Sequence, residues 1–183
     1  MSGGRAGPPG MVSHPAKQRP AASRPVTLGE NMKQSLQPGL SKTVRIGIGL
    51  DRTIDFMGEE GRVYATPMLV RDIEQACRGL LLEHADAGED SVGMDISLRH
   101  LAPTLLGMTV EITAKVMAVE GRKVSFEVTA KDELEPISGG THARFVVDVS
   151  KTYARLKKEG EEIERKLRRG DHYLPREHRN RPY

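Results

Sequence analysis

Two hydrophobic periods divide the chain. From Ala65 to Leu82 the period is helical, and Leu69, Ile73, Ala76, Cys77 and Leu80 fall on one side that must face a core. Thr66 can cap the first turn with its hydroxyl, and Pro67 suits the first helical position, where a missing N–H costs nothing. Ala87-Gly88 supplies a stop, so one buried helix is predicted to end near there. Before it, Val44, Ile46, Ile48 and Leu50 alternate over Thr43–Leu50 and predict a strand. After it the period becomes two and stays there. Val92, Met94, Ile96, Leu98 and His100 share one face of Ser91–Leu101, and Val110, Ile112, Ala114 and Val116 share one face of Thr109–Val119. Glu120-Gly121-Arg122 reads as a tight turn, from which Val124, Phe126 and Val128 return. Beyond a loop over Glu133–Gly140, Ala143, Phe145, Val147 and Val149 complete a strand over Thr141–Val149. Short turns imply antiparallel neighbours, and a sheet with one apolar face needs a helix to cover it. The pattern therefore predicts an α+β domain, one long helix wrapped by a curved five-stranded antiparallel sheet.

The flanks differ in composition. Residues 1–42 are rich in Pro, Gly, Ser and Ala and read as a disordered extension, with Met32 opening a sensible alternative start. Its arginines faintly suggest a transit peptide, against which the spaced prolines argue. Residues 153–183 form a basic helix and tail, with Tyr153, Leu156, Ile163 and Leu167 at heptad-like spacing interrupted by Gly160. The formal charge of +3 conceals a division. Residues 43–150 hold eleven basic and eighteen acidic side chains, a net of −7, so a basic total does not argue for nucleic acid, which stays the weakest alternative for the tails. No apolar run approaches the ~20 residues that span a bilayer, and without an apolar core near the start no secretory signal is expected. One cysteine excludes an internal disulfide and fits the cytoplasm.

Two residues are out of place. Glu74 projects beside Val70, Cys77 and Leu81 on the rim of the apolar stripe, and His100 ends an apolar row on the face that the helix covers. Each has an ordinary explanation, a rim acid that reaches water and a core histidine bonded to a carbonyl. Both anomalies are resolved if they share a half-buried cleft as an acid–base pair. Gly47-Ile-Gly49 is no dinucleotide loop, because Arg52 stands at the third glycine and no helix follows. Cys77 lies on the apolar face and reads as packing. Asp171, His172, Glu177 and His178 have metal-binding side chains but sit in a charged tail, where solvation is the better reading, so no metal is expected.

The runs Ala65-Thr-Pro, Glu74-Gln-Ala-Cys, Ser91-Val-Gly-Met-Asp-Ile-Ser-Leu-Arg-His100-Leu-Ala-Pro-Thr, Val119-Glu-Gly-Arg and Gly140-Thr-His-Ala-Arg144-Phe resemble the hot-dog-fold thioesterases related to fluoroacetyl-CoA-specific thioesterase. The similarity covers roughly residues 33–152, with a hot-dog domain over 43–152. It implies an acyl-CoA thioesterase that works as a homodimer without a cofactor, a catalytic trio at Thr66, Glu74 and His100, and substrate contacts at Gly93 and Arg144. Glu74 would attack the thioester carbonyl or activate water, His100 would polarise the attacking group or protonate the leaving sulfur, and Thr66 would orient one of them. Gly93 would let a backbone N–H approach the oxyanion. The plainer readings are a cap at Thr66, a glycine bulge at Gly93 and an outward strand cation at Arg144. One departure matters. Where the fluoroacetate-specific enzyme carries lid phenylalanines, this chain has Met57 and Glu60, with Phe56 nearby, which implies small acyl groups without fluorine selectivity. The alternative is a hot-dog module that binds acyl-CoA without cleaving it.

Overall fold

A computed structural model describes residues 35–169 together with Met1 and Gly3. The alternating segments become strands β1 (Ser41–Gly47), β2 (Glu89–His100), β3 (Thr109–Glu120), β4 (Lys123–Lys131) and β5 (Pro136–Asp148). The two helical patterns become α1 (Thr66–Leu82) and α2 (Val149–Arg168). The strands form one antiparallel sheet in the order β1-β3-β4-β5-β2. Leu69, Ile73, Cys77 and Leu81 of α1 are fully buried, as are Val110, Ile112 and Val116 of β3 and Val124 of β4. Burying each large aliphatic side chain contributes roughly 1.5–3 kcal/mol, which makes the α1–sheet contact the main source of stability. The expected α+β hot-dog arrangement, with a helical C-terminal extension, is what the chain adopts.

One acid is built into this core. Asp72, 4% exposed, accepts hydrogen bonds at Oδ2 from the Tyr64 hydroxyl (2.8 Å) and Arg52 Nε (3.0 Å). Paired twice, the carboxylate escapes the cost of an isolated buried charge and fastens the loop before α1 to the helix. Burial, then the bond to Asp72, pushes the Tyr64 phenol up from its ordinary value.

Several local expectations are corrected. The helix stops at Leu82, where its apolar stripe ends, and Gly88, at φ +83°, turns the chain into β2 instead of terminating α1. Thr66 is the first residue inside the helix, Ala65 holds the N-cap position, and no side chain caps the end. Within the stretch read as disordered, Leu36 is 2% exposed in the core and β1 already begins at Ser41. Most of that extension, and the metal-binding side chains beyond Arg169, lie outside the described residues. β5 begins at Pro136, because Ile137 and Ser138 are buried in what was expected to be a loop.

The largest departure is in β2. Its pairing with β5 shifts between Gly93, opposite Arg144, and Asp95, opposite Ala143, so Met94 is the extra residue of a bulge. The pleat therefore changes phase. Ser91 and Gly93 share the helix-facing side with Ile96, Leu98 and His100, opposite Val146, Arg144, His142, Gly140 and Ser138. Val92 is moved to the other face, and Val92 and Met94 are 48% and 61% exposed. Among the described residues no helix is long and apolar enough to cross a membrane.

Candidate active site

The first turn of α1 meets the last residue of β2. Because Thr66 is not a cap, its hydroxyl is available elsewhere, and Oγ1 lies 2.9 Å from His100 Nδ1. The pair sits in a cavity of about 160 Å³ lined by Thr66, Leu69 and Val70 of α1 and by Ile96, Leu98 and His100 of β2. Tyr64 meets the His100 ring edge-on, with centroids 6.3 Å apart. Burial holds the His100 imidazole below its ordinary value, opposed by the backbone of Ala102. A ring that is neutral near pH 7 can hand a proton to or take one from its neighbours. Its Nε2 is buried without a protein partner, a cost that calls for one.

A second group surrounds Glu74, two turns further along α1. The Glu74 side chain is 37% exposed, with Oε1 3.8 Å from His142 Nε2. A Cβ on Gly93 would lie 2.5 Å from that oxygen, so the carboxylate occupies the space that glycine leaves. His142 lies 2.7 Å, at Nδ1, from the carbonyl of Asp95. A carbonyl only accepts, so Nδ1 carries the proton. The neutral ring then presents the Nε2 lone pair, to which Arg144 Nη1 donates at 3.2 Å. Burial keeps His142 below its ordinary value and so favours this neutral form. Arg144 is itself 5% exposed. Its remaining donors go to Ser91 Oγ (2.8 Å), the Ser91 carbonyl (2.8 Å) and the Glu74 carbonyl (3.3 Å). These partners are all uncharged. Burial lowers the Arg144 pKa, and of the surrounding charges the Glu74 carboxylate opposes that shift most.

The candidate residues thus form two sets. Thr66 joins His100, and Glu74 joins Gly93 and Arg144. Eight residues separate Thr66 from Glu74 on α1, about 12 Å along its axis. Arg144 is not the outward-facing cation of the plainer reading, since even-numbered positions of β5 face the helix. His142 and Ser91 had not been singled out. Parity pointed the wrong way, because the apolar row Ala143, Phe145 and Val147 implied that His142 and Arg144 face outward, whereas Phe145 is 40% exposed and His142 and Arg144 are buried. Cys77 is fully buried and burial pushes its thiol up to about 12, which removes it as a nucleophile. Before α1, Phe56 and Met57 are 80% and 65% exposed, and neither they nor Glu60 line the cavity. Among the described residues no group of His, Cys, Asp and Glu could hold a metal ion.

Known proteins resemble this chain in sequence and in fold. The sequence profile of fluoroacetyl-CoA-specific thioesterase matches residues 48–150. A fluoroacetyl-CoA thioesterase from Streptantibioticus cattleyicolor is 38% identical over 95 residues, 52% of this chain and 68% of that protein. A solved structure of a fluoroacetyl-CoA thioesterase superposes with a TM-score of 0.62 at 31% identity, covering 67% of this chain and 96% of that one. A hot-dog-like protein from Thermanaerovibrio acidaminovorans, 24% identical, shares the fold with a TM-score of 0.61, covering 67% and 91% of the two chains.

Proposed function

This chain belongs to the fluoroacetyl-CoA-specific thioesterase family and is a thioester hydrolase of the hot-dog fold, and from that premise we propose that it cleaves small acyl-CoA thioesters without selecting for fluorine. The observation that carries the reading is the half-exposed Glu74 carboxylate, seated against a glycine whose missing side chain makes room for it. A structural rim acid needs no such accommodation.

Glu74 attacks the thioester carbonyl carbon, or takes the proton of a water that does. The carbonyl becomes a tetrahedral oxyanion, the C–S bond breaks, and the CoA thiolate receives a proton. On the first route the acyl group stays on Glu74 as an anhydride until water hydrolyses it to the free acid, and on the second the acid forms directly. His100, held by Thr66 and with Nε2 free of protein partners, supports the proton movements. Gly93 and Arg144 serve the substrate site beside Glu74, the glycine by giving its carboxylate space and the buried guanidinium by donating to the Glu74 backbone carbonyl. The absence of aromatic cover from Met57 and Glu60, and the exposure of Phe56, support the lack of fluorine selectivity. Acetyl-CoA and fluoroacetyl-CoA are therefore expected to turn over at similar rates.

A homodimer is part of the proposal. β2 is an edge strand twelve residues long with Val92, Met94 and Ile96 exposed, an arrangement that invites pairing. The same strand supplies one wall of the cavity, so a second copy at this edge would close the cleft and bring another α1 beside it. The single cysteine, buried and free, is compatible with the proposed cytoplasmic location.

Glu74→Gln tests the reading, because it keeps the shape and removes the base. Thiol release from a panel of acyl-CoAs should fall by at least ~10², with acyl-CoA still bound. Near-wild-type turnover would remove Glu74 from the chemistry. A wild-type protein that binds acyl-CoA and releases no thiol would favour the binding-module alternative.

A further inference from the structure

α2 begins at Asp148, whose Oδ1 accepts from the Lys151 backbone N–H at 2.9 Å, and then runs 20 residues without burying a side chain. Its apolar residues are nevertheless ordered. Tyr153, Leu156, Ile163 and Leu167, 69%, 50%, 57% and 57% exposed, fall with Gly160 at the alternating three- and four-residue spacing of a coiled-coil seam. Tyr153, Gly160 and Leu167 take one seam position, and Leu156 and Ile163 the other. Lys157 and Glu164 lie along one flank of the seam, Glu159 and Lys166 along the other.

We propose that this seam pairs antiparallel with α2 of a second copy of the chain, setting Leu156 against the partner's Leu167 and Gly160 against the partner's Ile163. The flanking charges select this geometry. Reversing one helix brings like flanks together, so Lys157 meets the partner's Glu164 and Glu159 meets the partner's Lys166, each twice by symmetry. All four contacts attract. A parallel pair brings opposite flanks together and sets Glu159 against the partner's Glu164. The neighbouring antiparallel register, with Leu156 against the partner's Gly160, sets Lys157 against itself and Glu159 against itself. Direction and register are both specified, which is how seam-flanking charges choose partners. Gly160 suits the same register, since nothing lies within 4 Å of the Cβ it lacks and a glycine there leaves room for the branched side chain of the partner's Ile163 opposite it. The pairs Arg155–Glu159 (3.5 Å), Glu162–Lys166 (2.8 Å) and Glu164–Arg168 (4.0 Å) within the helix are exposed and weak, and yield to contacts across the seam. Asp148, the N-cap of α2, stands opposite Glu89 at the start of β2, so one dimer could use both contacts and the seam is read by the strength of association rather than by mass alone.

Sedimentation of the full chain over a concentration series reads the proposal. Wild type should associate more tightly than L156E/I163E, as a larger species or as a dimer that persists to lower concentration, and the variant should keep its circular-dichroism spectrum because α2 buries no side chain within one copy. E164K turns two attractive contacts repulsive and should weaken association roughly tenfold, while K157E/E164K restores the pairs and the affinity. High salt should weaken the wild-type species. Three results would overturn the proposal. E164K tightening association would mean a parallel pair, and an unchanged association constant for L156E/I163E would mean that the seam does not self-associate. Binding of wild type to phosphatidylserine vesicles, with no change of mass in solution, would assign the face to a membrane.

Discussion

Gly93→Ala adds one methyl group where Glu74 Oε1 lies 2.5 Å away and His142 Cε1 3.6 Å away. To reach an ordinary contact of 3.4 Å the carboxylate must retreat by about 0.9 Å. The obstacle is the far end of a flexible side chain, and Gly93 has no left-handed backbone angle, so the fold can absorb the change. Forcing Glu74 off its rotamer costs about 0.5–1.5 kcal/mol, and replacing glycine within an element recovers roughly 0.5–1 kcal/mol. Melting temperature should move by only a few degrees. Activity should not be spared, because a displacement near 1 Å of a reacting group costs on the order of 10² in rate, or about 2.7 kcal/mol in the barrier. Alanine keeps the backbone N–H, so an oxyanion donor at this position would survive, and the loss isolates the position of Glu74. Thiol-release kinetics should show kcat reduced ~10² with KM nearly constant. A Gly93→Ala enzyme within threefold of wild-type kcat, still folded, would refute the argument that Glu74 must occupy that space.

Acidification should destabilise the protein through its buried imidazoles. Burial holds both His100 and His142 below the ordinary 6.5, so between 6.5 and their folded-state values the unfolded chain binds protons that the folded rings refuse. Stability is therefore lost as pH falls through that window, by at most about 1.4 kcal/mol per pH unit for each ring. His142→Asn, whose amide N–H can replace the Nδ1 donor to Asp95, should flatten melting temperature against pH between 7.5 and 5, and equal slopes would contradict the assignment. Cys77→Ala should keep kcat within about twofold while lowering the melting temperature, because a fully buried thiol is lost from packing and not from chemistry. A large drop in kcat with an intact fold would return the thiol to the mechanism.

Period and punctuation were enough to read the helix and five antiparallel strands from the chain alone, since an apolar face repeats wherever an element has a covered side, but not the strand order, because β2 pairs with β5 and not with β3. Glu74 and His100 were legible for the same reason, as polar residues interrupting an apolar pattern. What they touch was not legible. The bulge at Met94 depends on how β2 meets β5, and it changes which residues share a face with His100. The release of Thr66 from capping depends on His100 arriving across the cleft to take its hydroxyl. Arg144 and His142 lie inside because β5 is covered by α1, where each finds neutral partners that a local sequence window cannot contain. Periodicity is a property of neighbours along the chain, whereas the partners of a buried charge come from residues up to 70 positions away and are chosen only when the layers close.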